Sequence, residues 1–308
     1  MSLPLFDAHC DTLTTALEAG VALEKNKLHL DLERLGRFAP AAQVFAVWGE
    51  PQAPPVLEQA LDFFQRCLER AEGRLALCRT PAELQRANAA GQIAAVLSVE
   101  GAEQLGCDRT RLASLRAEGV SFVHLCWNSD NSLCGAAMDG GGGLTDSGRE
   151  FVRACWDLGI AVDLSHASDR SFWDVADLSA KEGRPLLAGH SNCRALCPSP
   201  RNLTDEMLDA VITSRGAVGL NLCPDFLGLG RDIPAALAHG AHVLARGGEE
   251  NLCLGCDLDG IDELPRGIAG VQDLNKLADG LCELGYPDAM IRNVFYCNFL
   301  RFWERSFR

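Results

Sequence analysis

Eight apolar runs, each followed by a segment of helical periodicity, set the strongest limit on what this 308-residue chain can fold into. The runs are nearly continuous in apolar residues, as in parallel strands whose two faces are both covered by helices. Eight strand-helix units in succession predict an α/β fold, the (β/α)8 or TIM barrel. The predicted strands are 4–11, 41–48, 93–100, 121–127, 160–166, 185–190, 217–222 and 251–257.

A doubly wound open sheet is the competing architecture for alternating strands and helices. The GxGxxG pattern of a dinucleotide-binding turn follows none of the predicted strands, which favours the barrel. The chain shows neither a linker nor a repeat beyond the strand-helix period, so residues 1–308 are expected to form a single domain. Helix starts are predicted at Thr80, Thr145 and Thr204, where a hydroxyl precedes an acidic first turn.

Composition excludes some partners. The formal net charge is −14 and no basic cluster occurs, which argues against nucleic acid as a partner. No apolar run approaches the roughly 20 residues of a membrane span, and no signal segment precedes the first strand, so no membrane partner is expected. The 14 cysteines are scattered, mostly in apolar contexts, as expected for reduced thiols in a cytoplasmic protein.

Strong metal ligands fall at the carboxyl ends of the predicted strands, where barrel enzymes carry their active sites. The first strand ends in a His-x-Asp pair, and residues two apart on a strand face the same side. Three histidines and two carboxylates around one rim would hold two divalent metal ions, with one carboxylate bridging them. The polar residues at these strand ends are His9, Asp11, Glu100, His166, His190 and Asp257.

The remaining histidines lack this arrangement. His124 lies in the middle of a predicted strand and is interpreted as a packed core residue. His29, His239 and His242 lie in helical or loop segments without neighbouring ligands and are interpreted as surface or packing residues. Taken alone, each histidine at a strand end is explained equally well as a metal ligand or as an ordinary hydrogen-bonded polar residue. The convergence of several of them at one rim is what indicates a site.

The strand-end motifs resemble those of the renal, or membrane, dipeptidase family (peptidase family M19), dinuclear zinc metallopeptidases with amidohydrolase-like barrels. Residues 7–11, Asp-Ala-His-Cys-Asp, resemble the first metal motif of that family. Residues 98–101 are similar to its bridging-glutamate motif, and residues 163–166 and 189–191 to its two later histidine motifs. Residues 255–260 resemble its final aspartate motif, so the motifs occur in family order over nearly the whole chain.

The resemblance implies a role for each matched residue. His9 and Asp11 would bind one zinc ion, His166 and His190 would bind the other, and Glu100 would bridge the two. The same ligands would also accept other divalent ions.

The resemblance further implies that Asp257 is the carboxylate that transfers protons, with Asp259 a weaker candidate. Arg201, eleven positions after His190, resembles the arginine that binds the substrate carboxylate, for which a planar guanidinium is suited. Trp127 and Asn128 would face the substrate. Trp127 stands where animal members have a histidine, and its indole would still donate a hydrogen bond or pack on an apolar side chain.

The activity implied is that of a zinc-dependent dipeptidase, acting also on dipeptides with a D-residue at the C-terminal position. Two metal ions sharing a water would generate a bridging hydroxide at neutral pH, with Glu100 and Asp257 as the catalytic carboxylates. A homodimer is suggested by the same resemblance. Two alternatives remain: another metal-dependent amidohydrolase (a deaminase, a lactonase or an N-acyl amino acid hydrolase), or a metal-binding homologue without activity.

Overall fold

In the computed structural model, which describes residues 2–50, 53 and 55–307, nine parallel strands form one sheet. Each predicted strand corresponds to one of them, and one further strand was not predicted. The strands are β1 Leu5–Cys10, β2 Ala41–Val47, β3 Leu75–Leu77, β4 Ile93–Val99, β5 Val120–His124, β6 Ala161–Asp163, β7 Leu187–Ala188, β8 Ala217–Leu220 and β9 Leu252–Leu254.

The sheet closes on itself. Strand β1 pairs with β2 on one side and β9 on the other, and β2 pairs directly with β4 from Ala42 to Val47. Eight strands therefore form the closed parallel barrel, which confirms the predicted TIM barrel and rules out the open sheet. The unpredicted β3 lies outside this ring and pairs with the first residues of β4.

Helices follow the strands and cover the barrel. The three predicted starts are confirmed, because the hydroxyls of Thr80, Thr145 and Thr204 each accept the backbone N–H three residues later. Such a cap contributes about 1 kcal/mol. The helices are α1 Thr12–Ala19, α2 Leu32–Leu35, α3 Leu57–Arg70, α4 Pro81–Ala89, α5 Leu112–Glu118, α6 Asp146–Asp157, α7 Asp169–Glu182, α8 Asp205–Thr213, α9 Pro224–Leu227, α10 Ile233–Ala245, α11 Asn275–Glu283, α12 Asp288–Arg292 and α13 Asn298–Ser306.

One π-helical turn, Asn293–Cys297, joins α12 to α13. None of the helices in the described part of the chain has the length and apolarity that crossing a bilayer requires.

Aromatic side chains fill the end of the barrel opposite to the predicted site. Phe299 and Trp303 of α13 pack against Phe6 of β1 and Phe122 of β5, with the Phe6 and Phe299 ring centroids 4.7 Å apart. All four side chains are buried. This end of the barrel is therefore apolar, whereas active sites in such barrels lie at the carboxyl ends of the strands.

Candidate active site

The end of β1 brings two side chains with metal-binding donor atoms into the barrel, and the residue after β4 adds a third. His9 and Asp11 are both buried, with His9 Nε2 lying 3.2 Å from Asp11 Oδ2. Glu100 follows β4 directly, and its Oε2 lies 3.5 Å from the same His9 nitrogen. Strands that end at the same rim of the barrel therefore place an imidazole and two carboxylates around one point.

Two more imidazoles reach Glu100 from the far side of the barrel. Glu100 Oε1 lies 2.9 Å from His166 Nε2 and 3.4 Å from His190 Nε2, and these two nitrogens are 2.9 Å apart. The two oxygens of Glu100 thus face different groups, one His9 and the other the pair His166 and His190. This division is what a carboxylate between two cations would require.

The backbone around His166 is fixed by the end of β6. Asp163 Oδ1 accepts the backbone N–H groups of Ser165 and Gly189, each at 2.9 Å, which ties the end of β6 to the end of β7. His166 itself has a φ of 76°, an unusual value for a residue with a side chain. Its Nδ1 lies 2.8 Å from Asn128 Oδ1, a contact that orients the ring with Nε2 towards Glu100.

The electrostatics of this cluster favour a cation. Burial raises the pKa of Asp11 to about 7, and the nearby charge of Glu100 contributes to the shift. Burial also raises the pKa of the Asp257 carboxyl. Asp11 Oδ1 is buried without a hydrogen-bond partner among the described residues. Imidazole nitrogens and carboxylate oxygens this close together fit borderline divalent metal ions, which would neutralise the crowded anions.

Asp257 stands beside this cluster, on a turn that follows β9. Its backbone has a φ of 60°, and its N–H donates to the carbonyl of His9. Asp257 Oδ1 lies 3.8 Å from His9 Nε2, whereas Oδ2 accepts a hydrogen bond from Asn221 Nδ2 at 2.9 Å. Asp259 points elsewhere, since its Oδ2 accepts the hydroxyl hydrogen of Thr12. Of the two aspartates, Asp257 is therefore the one that faces the cluster.

A cavity of about 430 Å³ opens above the cluster. Trp48 and Trp127 form part of its wall, with ring centroids 5.0 Å apart. Arg201 enters from another side, with its guanidinium 5.4 Å from the centroid of the Phe226 ring. Arg201 is only 4% exposed, and its Nε and Nη2 have no hydrogen-bond partner in the described part of the chain. An unpaired buried guanidinium is costly, and an anionic ligand in the cavity would satisfy it.

The structure brings the predicted site residues together. His9 and His190 lie in the floor beneath the cavity, fully buried, and the others are in its lining. The predicted residues that line the cavity are Asp11, Glu100, Trp127, Asn128, His166, Arg201 and Asp257.

Two polar residues near the site were not assigned to it from the sequence. His124 is the last residue of β5, with its ring centroid 5.3 Å from those of both His9 and His190. Asn221 is fully buried at the end of β8, in contact with Asp257. In the sequence, each of these two residues is a polar residue within an apolar run, and that is the signal that could have assigned it to the site.

The other histidines lie outside the cavity lining. His29 Nδ1 accepts the backbone N–H of Asp259, and His242 pairs with Asp205. His239 is buried in α10.

The comparison with known families agrees with this geometry. Residues 1–306 match the family described as membrane dipeptidase (peptidase family M19). The chain belongs to this family. Membership in family M19, together with the buried donor cluster, identifies a metal-dependent hydrolase that acts on dipeptides.

Individual M19 relatives cover most of the chain. A Klebsiella pneumoniae protein from the pqqA 5′ region is 33% identical over 80% of this chain and 94% of its own length. A crystal structure described as dipeptidase AC of family M19 is 32% identical, with a TM-score of 0.90 over 100% of this chain and 99% of that one. A Rhodobacter sphaeroides metallopeptidase, bound to a phosphinate mimic of the dipeptide L-Ala-D-Ala, is 32% identical with a TM-score of 0.87, covering 99% and 100% of the two chains.

Proposed function

We propose that this protein is a zinc-dependent dipeptidase with two metal ions, and that its substrates include dipeptides with a D-residue at the C-terminal position. The observation that carries the proposal is one cavity with a cluster of buried imidazole and carboxylate donors in its floor and Arg201 in its wall. The Nε and Nη2 groups of Arg201 have no hydrogen-bond partner among the described residues. A cavity of this kind suits a small ligand with a carboxylate at one end. The L-Ala-D-Ala mimic bound to the Rhodobacter relative supports the stereochemistry.

The donor set divides into two metal positions. His9 and Asp11 would hold one ion, His166 and His190 the other, and Glu100 would contribute one oxygen to each. The two oxygens of Glu100, which face His9 and the His166–His190 pair respectively, support this assignment. When bound, the metal ions supply an activated water and a positive field that stabilises charge on the scissile carbonyl.

Asp257 would move the proton. Its Oδ1 faces the ligand cluster, whereas Oδ2 is held by Asn221. Oδ1 would accept the proton released by the attacking water and then pass it to the departing amine, a transfer that requires one group to act first as base and then as acid. Burial raises the pKa of Asp257, so its carboxylate is a stronger base than an exposed one and would accept the proton from the water more readily.

Arg201 would bind the C-terminal carboxylate of the dipeptide. The free Nε and Nη2 groups lie on one edge of a guanidinium and match the two oxygens of a carboxylate. Trp127 and Trp48 would pack against the substrate side chains. Asn128, which lines the cavity and contacts His166 Nδ1, would position that ligand next to the substrate.

A second candidate, hydrolysis of N-acyl amino acids, is favoured by one observation. Arg201 selects a carboxylate, which an N-acyl amino acid carries as well as a dipeptide does. The test is therefore a panel that contains L,L- and L,D-dipeptides and their N-acetylated counterparts, incubated with zinc-loaded protein while amino acid release is followed.

Cleavage of dipeptides that is abolished by a chelator and restored by zinc is the expected result. Cleavage of only the acetylated compounds would favour the second candidate. A zinc-loaded protein that cleaves neither class would contradict the proposal.

A further inference from the structure

We infer that Asn221 is a positioning residue for Asp257: the side-chain amide of Asn221 holds one carboxylate oxygen of Asp257, so that the other oxygen faces the ligand cluster. The inference rests on the proposed role of Asp257 and extends it to a residue outside the ligand cluster. Asn221 follows β8 directly, and Asp257 follows the neighbouring β9. Both side chains are buried.

The orientation of the Asn221 amide is fixed by partners of known polarity. The backbone N–H of Cys223 donates to Asn221 Oδ1, which an NH₂ group would not accept. On the other side, Nδ2 lies 3.3 Å from the carbonyl oxygen of His190, which is an acceptor only. The two contacts independently assign the NH₂ group to the side that faces Asp257. Asn221 therefore donates to Asp257 Oδ2, at 2.9 Å.

This donor distinguishes the two oxygens of Asp257. Among the described residues, no side-chain amide donates to Oδ1, which lies on the side of His9, 3.8 Å from its Nε2. Asp257 also lines the cavity. The geometry therefore directs Oδ1 towards the ligand cluster and the cavity, while Oδ2 is held by Asn221.

A second amide holds Asn221 in place. Asn192 Nδ2 donates to the backbone carbonyl of Asn221 at 2.9 Å, and the backbone N–H of Asn221 donates to Asn192 Oδ1 at 3.1 Å. Asn192 is itself 1% exposed. With both backbone groups and the side chain engaged, Asn221 cannot turn away from Asp257 without losing several buried hydrogen bonds.

Two substitutions test the inference. Asn221→Asp keeps the size of the side chain and an acceptor for Cys223 but loses the donor, and Asn221→Ser removes the donor with less risk of charge repulsion. For a dipeptide that the wild-type protein cleaves, kcat is expected to fall roughly tenfold or more, as for loss of a hydrogen bond to a charged group. KM should change by less than about twofold, and bound metal should be unchanged, because neither substrate binding nor a ligand is altered.

A double-mutant cycle separates positioning from a general structural effect. If Asn221 acts through Asp257, then Asn221→Ser should cause no further loss of kcat in an Asp257→Asn background. Asn251→Asp is the matched control, because Asn251 is also buried and donates to the carbonyl of Gly216, away from the cavity lining. It should reduce stability but leave kcat unchanged.

A crystal structure of the Asn221→Ser variant gives a readout that does not depend on the substrate. The inference expects the Asp257 carboxylate to rotate or lose its single orientation. An Asp257 that keeps its position, or an additive loss of kcat in the double mutant, would overturn it. If the wild-type protein cleaves no dipeptide, the proposed function fails, and the orientation of Asp257 in the crystal still decides the positioning.

Discussion

Asp257 is the residue whose replacement tests the proposed chemistry most directly. In Asp257→Asn, the new amide oxygen would accept the hydrogen bond from Asn221, so the side chain would keep its place. The amide cannot take a proton from water at neutral pH, and we expect kcat to fall by about 100-fold or more. Metal content should stay at the wild-type value, because Asp257 is not among the proposed ligands.

The comparison variant for this prediction is Asp259→Asn. Asp259 accepts the hydroxyl of Thr12 and the backbone N–H of His29, both at 2.6 Å, so its loss should lower stability more than turnover. Steady-state kinetics and metal analysis on both variants provide the measurement. Full activity in Asp257→Asn would remove Asp257 from the mechanism, and a larger loss of kcat in Asp259→Asn would move the proton-transfer role there.

Arg201 should affect binding of the substrate carboxylate. Removing the guanidinium in Arg201→Ala loses a charge-assisted hydrogen-bonded pair, and kcat/KM for dipeptides should fall by roughly 10- to 100-fold, mainly through KM. A dipeptide amide lacks the carboxylate, so wild type and variant should hydrolyse it at similar, low efficiency. Arg201→Lys keeps the charge without the planar fork and should recover only part of the loss. An unchanged kcat/KM for dipeptides in Arg201→Ala would exclude Arg201 from the site.

At the scale of single residues, the sequence predicts those site residues whose side chains are unusual for their position in the chain. A histidine or carboxylate at the end of an apolar strand is such a residue, and the predicted ligands do converge in the structure. Asn221 could not be assigned in this way, because an amide has no ligand signature and its role depends on the neighbouring strand. Asn221 meets Asp257, beyond the end of β9, because Leu220 pairs with Leu254, and this register is a property of the folded sheet.

At the scale of elements, the apolar runs predict where the strands are but not where they end. β7 was predicted over 185–190, yet only Leu187–Ala188 pair regularly. Beyond it, the backbone leaves the ladder and Gly189 donates to Asp163 instead. The sequence does not predict β3, because one buried and two half-buried residues are too few to show a period. The irregular strand ends are the segments that aim the ligands, and they are set by tertiary hydrogen bonds.

His239 of helix α10 contacts both the loop at Cys193 and the last residue of α9, Leu227. His239 Nδ1 accepts the backbone N–H of Cys193, and its Nε2 lies 3.3 Å from the carbonyl of Leu227. Both contacts are made by the neutral ring, with hydrogen on Nε2. Burial lowers the pKa of His239 below its ordinary 6.5, and His242 on the same helix adds to the shift. His242 itself pairs with Asp205 on α8, which also pairs with Arg246.

The sign of the pH effect follows from this shift. Below pH 6.5 the unfolded chain binds a proton that the folded His239 resists, so the stability contribution is complete above that pH and is lost as the pH falls. We expect His239→Gln to show a smaller drop in the free energy of unfolding than wild type between about pH 7.5 and 5.5. Denaturant titrations of both proteins, with chelator present throughout, measure the difference. Parallel pH profiles would contradict this role of His239.

At the scale of the molecule, the net charge of −14 coexists with buried carboxylates concentrated at one end of the barrel. The barrel and the family are confirmed, whereas the single domain, the cytoplasmic location and the homodimer stay predictions. Location and assembly depend on surfaces and partners, about which a pattern of apolar runs carries little information. The cluster of proposed ligands is different, because its residues come from several strands and metal binding would therefore depend on folding of the whole barrel.

Metal binding should therefore stabilise the entire fold. The proposed ligands come from positions 9 to 190, so the unfolded chain has no preformed site and the ions bind the folded state. Without a cation, Asp11, Glu100 and Asp257 crowd together in the barrel. At a free zinc concentration 100 times Kd, linkage gives about 2.7 kcal/mol per site, which corresponds to a rise in Tm on the order of 5 °C or more.

Calorimetry with zinc, with magnesium and with chelator measures this effect, and the Glu100→Gln variant separates specific from non-specific binding. Zinc should raise Tm in the wild type, and magnesium, which avoids imidazole ligands, should do so far less. Glu100→Gln replaces one of the two oxygens that face the proposed metal positions by an NH₂ group and removes the negative charge, so most of the zinc-dependent gain should disappear. Equal Tm values with zinc and with chelator in the wild-type protein would show that the cluster holds no metal in the folded state. A full gain retained in Glu100→Gln would show that the ions bind without the bridging carboxylate.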